Sequence, residues 1–112
     1  MIYIFCAQFL CGNTWPKIHI QVETEDVVMA SLQVSSLSYP AVDTIARLQP
    51  AIGKFLVLDM EKVTSIDVSC AIEIVDLMQA DKRSKLVNVD MELKNLLHEY
   101  GLTDQQIMYK LE

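Results

Sequence analysis

The chain has 112 residues, the size of one domain with one buried core. A hydrophobic content of 52%, with only three Gly and three Pro, excludes a disordered chain and a loop-rich scaffold stapled by disulfides. Nine basic residues against fifteen acidic ones leave a formal charge of -6, and no Lys/Arg cluster is dense enough to follow a phosphate backbone, which argues against a nucleic-acid partner.

Residues 1–11 (MIYIFCAQFLC) are nearly all apolar and uncharged. They are too short to cross a bilayer alone, which takes about 20 residues, and they lack the basic start and the cleavage site of a signal peptide. Two readings stand. The segment is an apolar arm packed on the domain, or it is the cytosolic end of a membrane helix whose earlier part is missing, with Trp15 at headgroup level and Lys17 as the first positive charge.

Residues 17–22 (KIHIQV) alternate, placing Ile18, Ile20 and Val22 on one face of a strand, and residues 27–32 (VVMASL) form a second β-prone run. The intervening Glu23, Thr24, Glu25 and Asp26 suit a hairpin loop. Residues 35–38 read as a polar break. From Pro40, the apolar residues Ala41, Ile45, Leu48 and Ile52 recur at helical spacing, and Pro50 ends that helix near Leu48 or Gln49.

Residues 55–58 (FLVL) are an unbroken apolar run, the pattern of a strand buried on both faces. Asp67 then stands where its carboxylate can cap a helix over residues 68–81. That helix is apolar on Ala71, Ile72, Ile74, Val75 and Met78, while Ser69, Glu73, Asp76, Ala80 and Arg83 form a water-facing stripe. Glu73 and Asp76 could be taken for an acid/base pair, but two acids three apart on a charged stripe are usually just solvated. Residues 81–85 turn the chain into a strand at residues 86–89, completing a βαβ crossover with parallel neighbours. A third helix carries Leu93, Leu96, Leu97 and Tyr100, with Gly101 as its C-terminal cap and His98 off the stripe, and residues 106–111 supply a short edge strand.

The cysteines Cys6, Cys11 and Cys70 have no zinc-like spacing, and His19 and His98 lie far from them in sequence, so neither a metal nor another cofactor is expected. Cys70 falls in a first helical turn, where the dipole favours a thiolate, but no base or resolving cysteine accompanies it. No nucleophile has a partnered base, and the chain reads as a non-enzyme.

The order of elements and the residues around Asp67 resemble the STAS domain, the fold shared by the cytosolic tail of sulfate permeases and by bacterial anti-sigma factor antagonists. The match is the strand FLVLD, then VTSID, then an apolar helix, where the family has Asp followed by Ser, Ser or Thr, and Gly. Asp67 and Ser69 fit that pattern. Val68 and Cys70 depart from the bacterial form and resemble animal anion permeases. WPKIHIQV is similar to the link from a last membrane helix into the first STAS strand, and SLSYPAVDTI and MELKNLLHEYGL to helical segments of sodium-independent sulfate anion transporters. The turn before Leu86 is a few residues short and lacks the usual Gly.

The resemblance implies an α/β fold, a STAS-like mixed β-sheet with helices packed mainly on one face. It divides the chain into an apolar stub, residues 1–14, and a STAS-like domain, residues 15–112, without its closing helix or the membrane portion. It also implies a non-catalytic cytosolic regulatory domain of a sulfate or anion transporter, docking to the transmembrane domain or to a second copy of itself. Membrane association would come through the missing N-terminal region. The alternative is a free-standing partner switch controlled by phosphorylation of Ser69. There the helix dipole favours a phosphate, Glu73 one turn along repels it, and no Arg lies in the first two turns to receive it. A third reading has the backbone N–H groups of Val68, Ser69 and Cys70 receive an anion, without a Gly-rich loop to let it approach. The candidate docking or anion face is thus Val68, Ser69, Cys70, Glu73 and Asp76, with Asp67 as helix cap.

Overall fold

The computed structural model describes residues 18–111. The readings of residues 1–14, Trp15 and Lys17 lie outside the described residues. The described part opens with an antiparallel pair, β1 (Ile18–Glu23) and β2 (Val27–Leu32). Thr24 holds the turn between them: its Oγ1 accepts from the N–H groups of Asp26 and Val27 at 3.3 and 3.2 Å. Ile18 and Ile20 are buried as their alternation requires, but the pairing slips between Ile20 and Val22 and leaves Val22 41% exposed. A bulge inserts an unpaired residue and reverses the side chains beyond it, so the inward position expected for Val22 is corrected.

The chain continues through β3 (Ser36–Leu37), a 3-10 turn (Tyr39–Ala41), α1 (Val42–Ala46), β4 (Phe55–Asp59), β5 (Ser65–Ile66), α2 (Val68–Ala80) and β6 (Lys85–Val89). A second 3-10 turn (Met91–Leu93), α3 (Lys94–Glu99), a third turn (Asp104–Gln106) and β7 (Ile107–Tyr109) follow. The main sheet has five strands in the order β1-β2-β4-β6-β7 and is antiparallel only between β1 and β2. Each later strand is reached by a helical crossover, as parallel neighbours require.

Burial alternates along the central strands. Leu56 and Leu58 of β4 are fully buried while Phe55 and Val57 are half-buried, as on β2, where Val28, Ala30 and Leu32 point into the core. The two-sided burial expected of β4 is therefore corrected: its apolar run has one face under the helices, and on the other the Arg83 guanidinium lies 5.0 Å from the Phe55 ring centre. Along β6 the buried residues Leu86 and Val89 are three apart instead of two, because Asn88 takes the left-handed φ of 56° and bulges the strand.

The helices bury the residues that face this sheet. Ala41, Ile45 and Leu48 are in the core, but α1 stops at Ala46 and Ile52 falls beyond it, fully exposed. Its expected place on the helical stripe is corrected. On α2, Cys70, Ala71, Ile74, Val75, Leu77 and Met78 are buried, whereas Ile72, expected among them, is 41% exposed. α3 ends in a Schellman motif: the N–H of Gly101 donates to the His98 carbonyl at 3.0 Å and that of Leu102 to the Leu97 carbonyl at 3.1 Å. Gly101 has a φ of 104°, which a side chain would oppose.

Residues 35–38, expected as a plain break, instead supply β3, which pairs in parallel with β5. This two-stranded sheet ties the loop before α1 to the loop before α2, with the Asp67 N–H donating to the Leu37 carbonyl at 2.9 Å.

Candidate functional site

The start of α2 is built from three segments that the small sheet brings together. Asp67 is extended, with φ -81° and ψ 170°, and its Oδ1 accepts from the Cys70 N–H at 2.9 Å. It is the N-cap of α2. The same oxygen accepts from the Ser69 hydroxyl at 2.9 Å. The Cys70 N–H holds the Asp67 carboxyl below its usual 3.8; loss of surrounding water opposes this, and the Ser69 hydroxyl and the Tyr39 N–H add to it.

Cys70 is fully buried, and its Sγ donates to the Ser38 carbonyl at 3.0 Å, fastening the turn before α1 to α2. Burial first, and then Asp67 and Glu73, push the thiol up to about 12. The helix dipole favours a thiolate here. Desolvation and two carboxylates outweigh it, so Cys70 is a neutral hydrogen-bonding thiol that fills space in the core.

The candidate docking residues are divided by the helix. Cys70 points inward, Val68 is 49% exposed, Asp76 is exposed, and Ser69 and Glu73 are half-buried. Ile72 joins Val68 one turn on, and Tyr39, 72% exposed, sits in the turn whose backbone faces Asp67. Sequence reasoning placed Ile72 in the core and passed over Tyr39. The signal for Ile72 was its position beside Glu73 and four residues after Val68, on the edge of the polar stripe.

An incoming anion would meet the Asp67 carboxylate at this helix start, with the Cys70 N–H already engaged. A phosphate on Ser69 would displace the bond to Asp67 and lie between two acids, Asp67 and Glu73. Both effects are repulsive, and they act against the favourable dipole.

Other polar residues hold the scaffold. Ser84 is buried and its Oγ accepts from the Leu56 N–H at 2.9 Å, while Gln106 Nε2 donates to the Met78 carbonyl at 2.7 Å and the Ser84 carbonyl at 2.9 Å. His98 is half-buried and bonded to Asp104 at 2.7 Å, and Asp104 accepts from the Tyr109 hydroxyl at 3.0 Å. His19 lies exposed on β1. Among the described residues no cluster of His, Cys, Asp and Glu could hold a metal ion.

No family model matches the chain, and no curated protein matches it in sequence. Among solved structures, the murine Solute Carrier 26 family member A9 anion transporter, in its inward-facing state, is similar over 80% of this chain with a TM-score of 0.57 and 13% identity. An overall structure of SLC26A9 is similar over the same 80%, with a TM-score of 0.60 and 13% identity. The fold is STAS-like. At this identity the likeness establishes fold alone, and the chain spans 17% and 19% of the lengths of those two proteins. No helix among the described residues is long and apolar enough to cross a membrane.

Proposed function

We propose that this STAS-like chain is a non-catalytic regulatory domain of a sulfate or anion transporter, on the cytosolic side of the membrane, docking through the exposed face of α2 to the transmembrane domain or to a second copy. The observation that carries this reading is the fold shared over 80% of the chain with a part of an anion transporter. The α2 face supports it because Val68 and Ile72 stand exposed beside Ser69, Glu73 and Asp76 on a helix whose start is fixed by its own cap. An antibody to this domain, applied to fractionated cells, is expected to detect it with membranes, in an assembly containing transporter transmembrane sequence. Detection only in the soluble fraction, at the domain's own mass, would contradict the proposal.

A further inference from the structure

We propose that the α2 face binds a basic amphipathic segment, a partner helix carrying Lys or Arg one turn from apolar side chains. The inference rests on the docking reading above and adds the chemistry of the partner. Large apolar side chains exposed singly need no explanation. Here Val68 and Ile72 are exposed on successive turns of one helix, with Tyr39 in the turn that adjoins its start.

Both charged residues within α2 itself, Glu73 and Asp76, are acidic. Glu73 follows Ile72, Asp76 lies one turn further on, and neither forms an ion pair among the described residues. Asp67, at the helix start, is held ionised by the Cys70 N–H. An acidic partner, or a surface of anionic lipid, would be repelled. A partner that set apolar side chains on Val68 and Ile72 and a cation beside Glu73 would cover the ridge and neutralise the acids together. Glu73 is half-buried, so its attraction for a cation is less screened than that of a fully solvated acid. Segments of this kind flank membrane helices on the cytosolic side, where Lys and Arg are enriched.

The acids Glu25 and Asp26 in the β1–β2 turn are an internal control, since they bring negative charge without a helical apolar ridge. The chain, labelled with nitrogen-15, is titrated with a synthetic helical peptide of Leu and Lys, with its Leu and Glu counterpart, and with phosphatidylserine vesicles. The Lys peptide is expected to shift the amides of Tyr39 and of α2 from Val68 to Asp76, more than those of Glu25 and Asp26, and to weaken at high salt. Glu73→Lys with Asp76→Lys, at a half-buried and an exposed position, is expected to lower its affinity about fivefold and to raise that of the Glu peptide. Ile72→Ser is expected to weaken the Lys peptide with every charge kept. The proposal is overturned by equal shifts at the β1–β2 turn, by charge reversal without effect, or by α2 engaging the vesicles in preference to the Lys peptide. Should α2 contact a transporter's membrane domain and yet not discriminate the peptides, the docking reading stands and this one falls.

Discussion

The two ends of α2 are satisfied in opposite ways. At its start the capping partners are close in sequence: Asp67 caps the Cys70 N–H and receives the Ser69 hydroxyl. At its end the Met78 carbonyl is met by Gln106, a residue 28 positions away in the turn before β7. The cap at the start is local, and the long-range bonds there, from the Asp67 N–H to Leu37 and from the Cys70 Sγ to Ser38, tie it to the turn before α1, whereas the end is closed by the turn before β7. The exposed ridge of Val68 and Ile72 belongs to the first half.

The contrast can be broken at several points. The largest expected effect is chemical. In a chain with Cys6 and Cys11 replaced by Ser, the folded-state thiol of Cys70, pushed up to about 12 from its usual 9.0, should react with a disulfide reagent at mildly alkaline pH on the order of a thousandfold more slowly than after unfolding in urea. The sign for stability follows: it is fully present below about pH 9 and falls as pH rises from there toward 12, because the unfolded thiol ionises first. Fast reaction in the folded state would mean that the start of α2 opens.

Met78→Ala, fully buried beneath the distal half, should cost about 3 kcal/mol in urea unfolding. Gln106→Ala, which strips a partner from the Met78 and Ser84 carbonyls, should cost about 2 kcal/mol, with faster amide exchange at the end of α2 than at its start. Equal exchange at the two ends would erase the distinction. Asp67→Asn should act at the other end, and mainly above pH 3.8. Because the folded Asp67 titrates below 3.8, its stabilisation is present above that pH and is lost as pH falls through its lowered value. The variant should flatten that part of the acid unfolding curve. Smallest of all, Ile72→Ala should change stability by about 0.5 kcal/mol or less, since the side chain is exposed.

The same division governs what the sequence discloses. Asp67 as a cap, Gly101 after α3 and the turn at residues 23–26 rest on neighbours a few positions away, and periodicity marks the helices and β-prone runs. The parallel order of β4 and β6 follows from a crossover rule. Val22 and Ile52 went astray where one residue's worth of geometry changed the face, through a bulge in β1 and an early end to α1. β3 and β5, two residues each, carry no period, and their pairing across 29 positions has no local sign. Gln106 looks like any polar turn residue until the fold sets it under α2. Of the candidate site, the cap and the acids were legible; the exposure of Ile72 and the nearness of Tyr39 required the fold.

The most direct test of the central claim is site-specific photo-crosslinking of the native protein in the cells that express it, with the crosslinker at Ile72 in one sample and at Gln105, exposed in the turn before β7, in another. The account expects Ile72, and not Gln105, to join to a peptide that mass spectrometry identifies as the transmembrane part of an anion transporter or as a second copy of this chain. Equal capture from both positions, or none from Ile72, would contradict it.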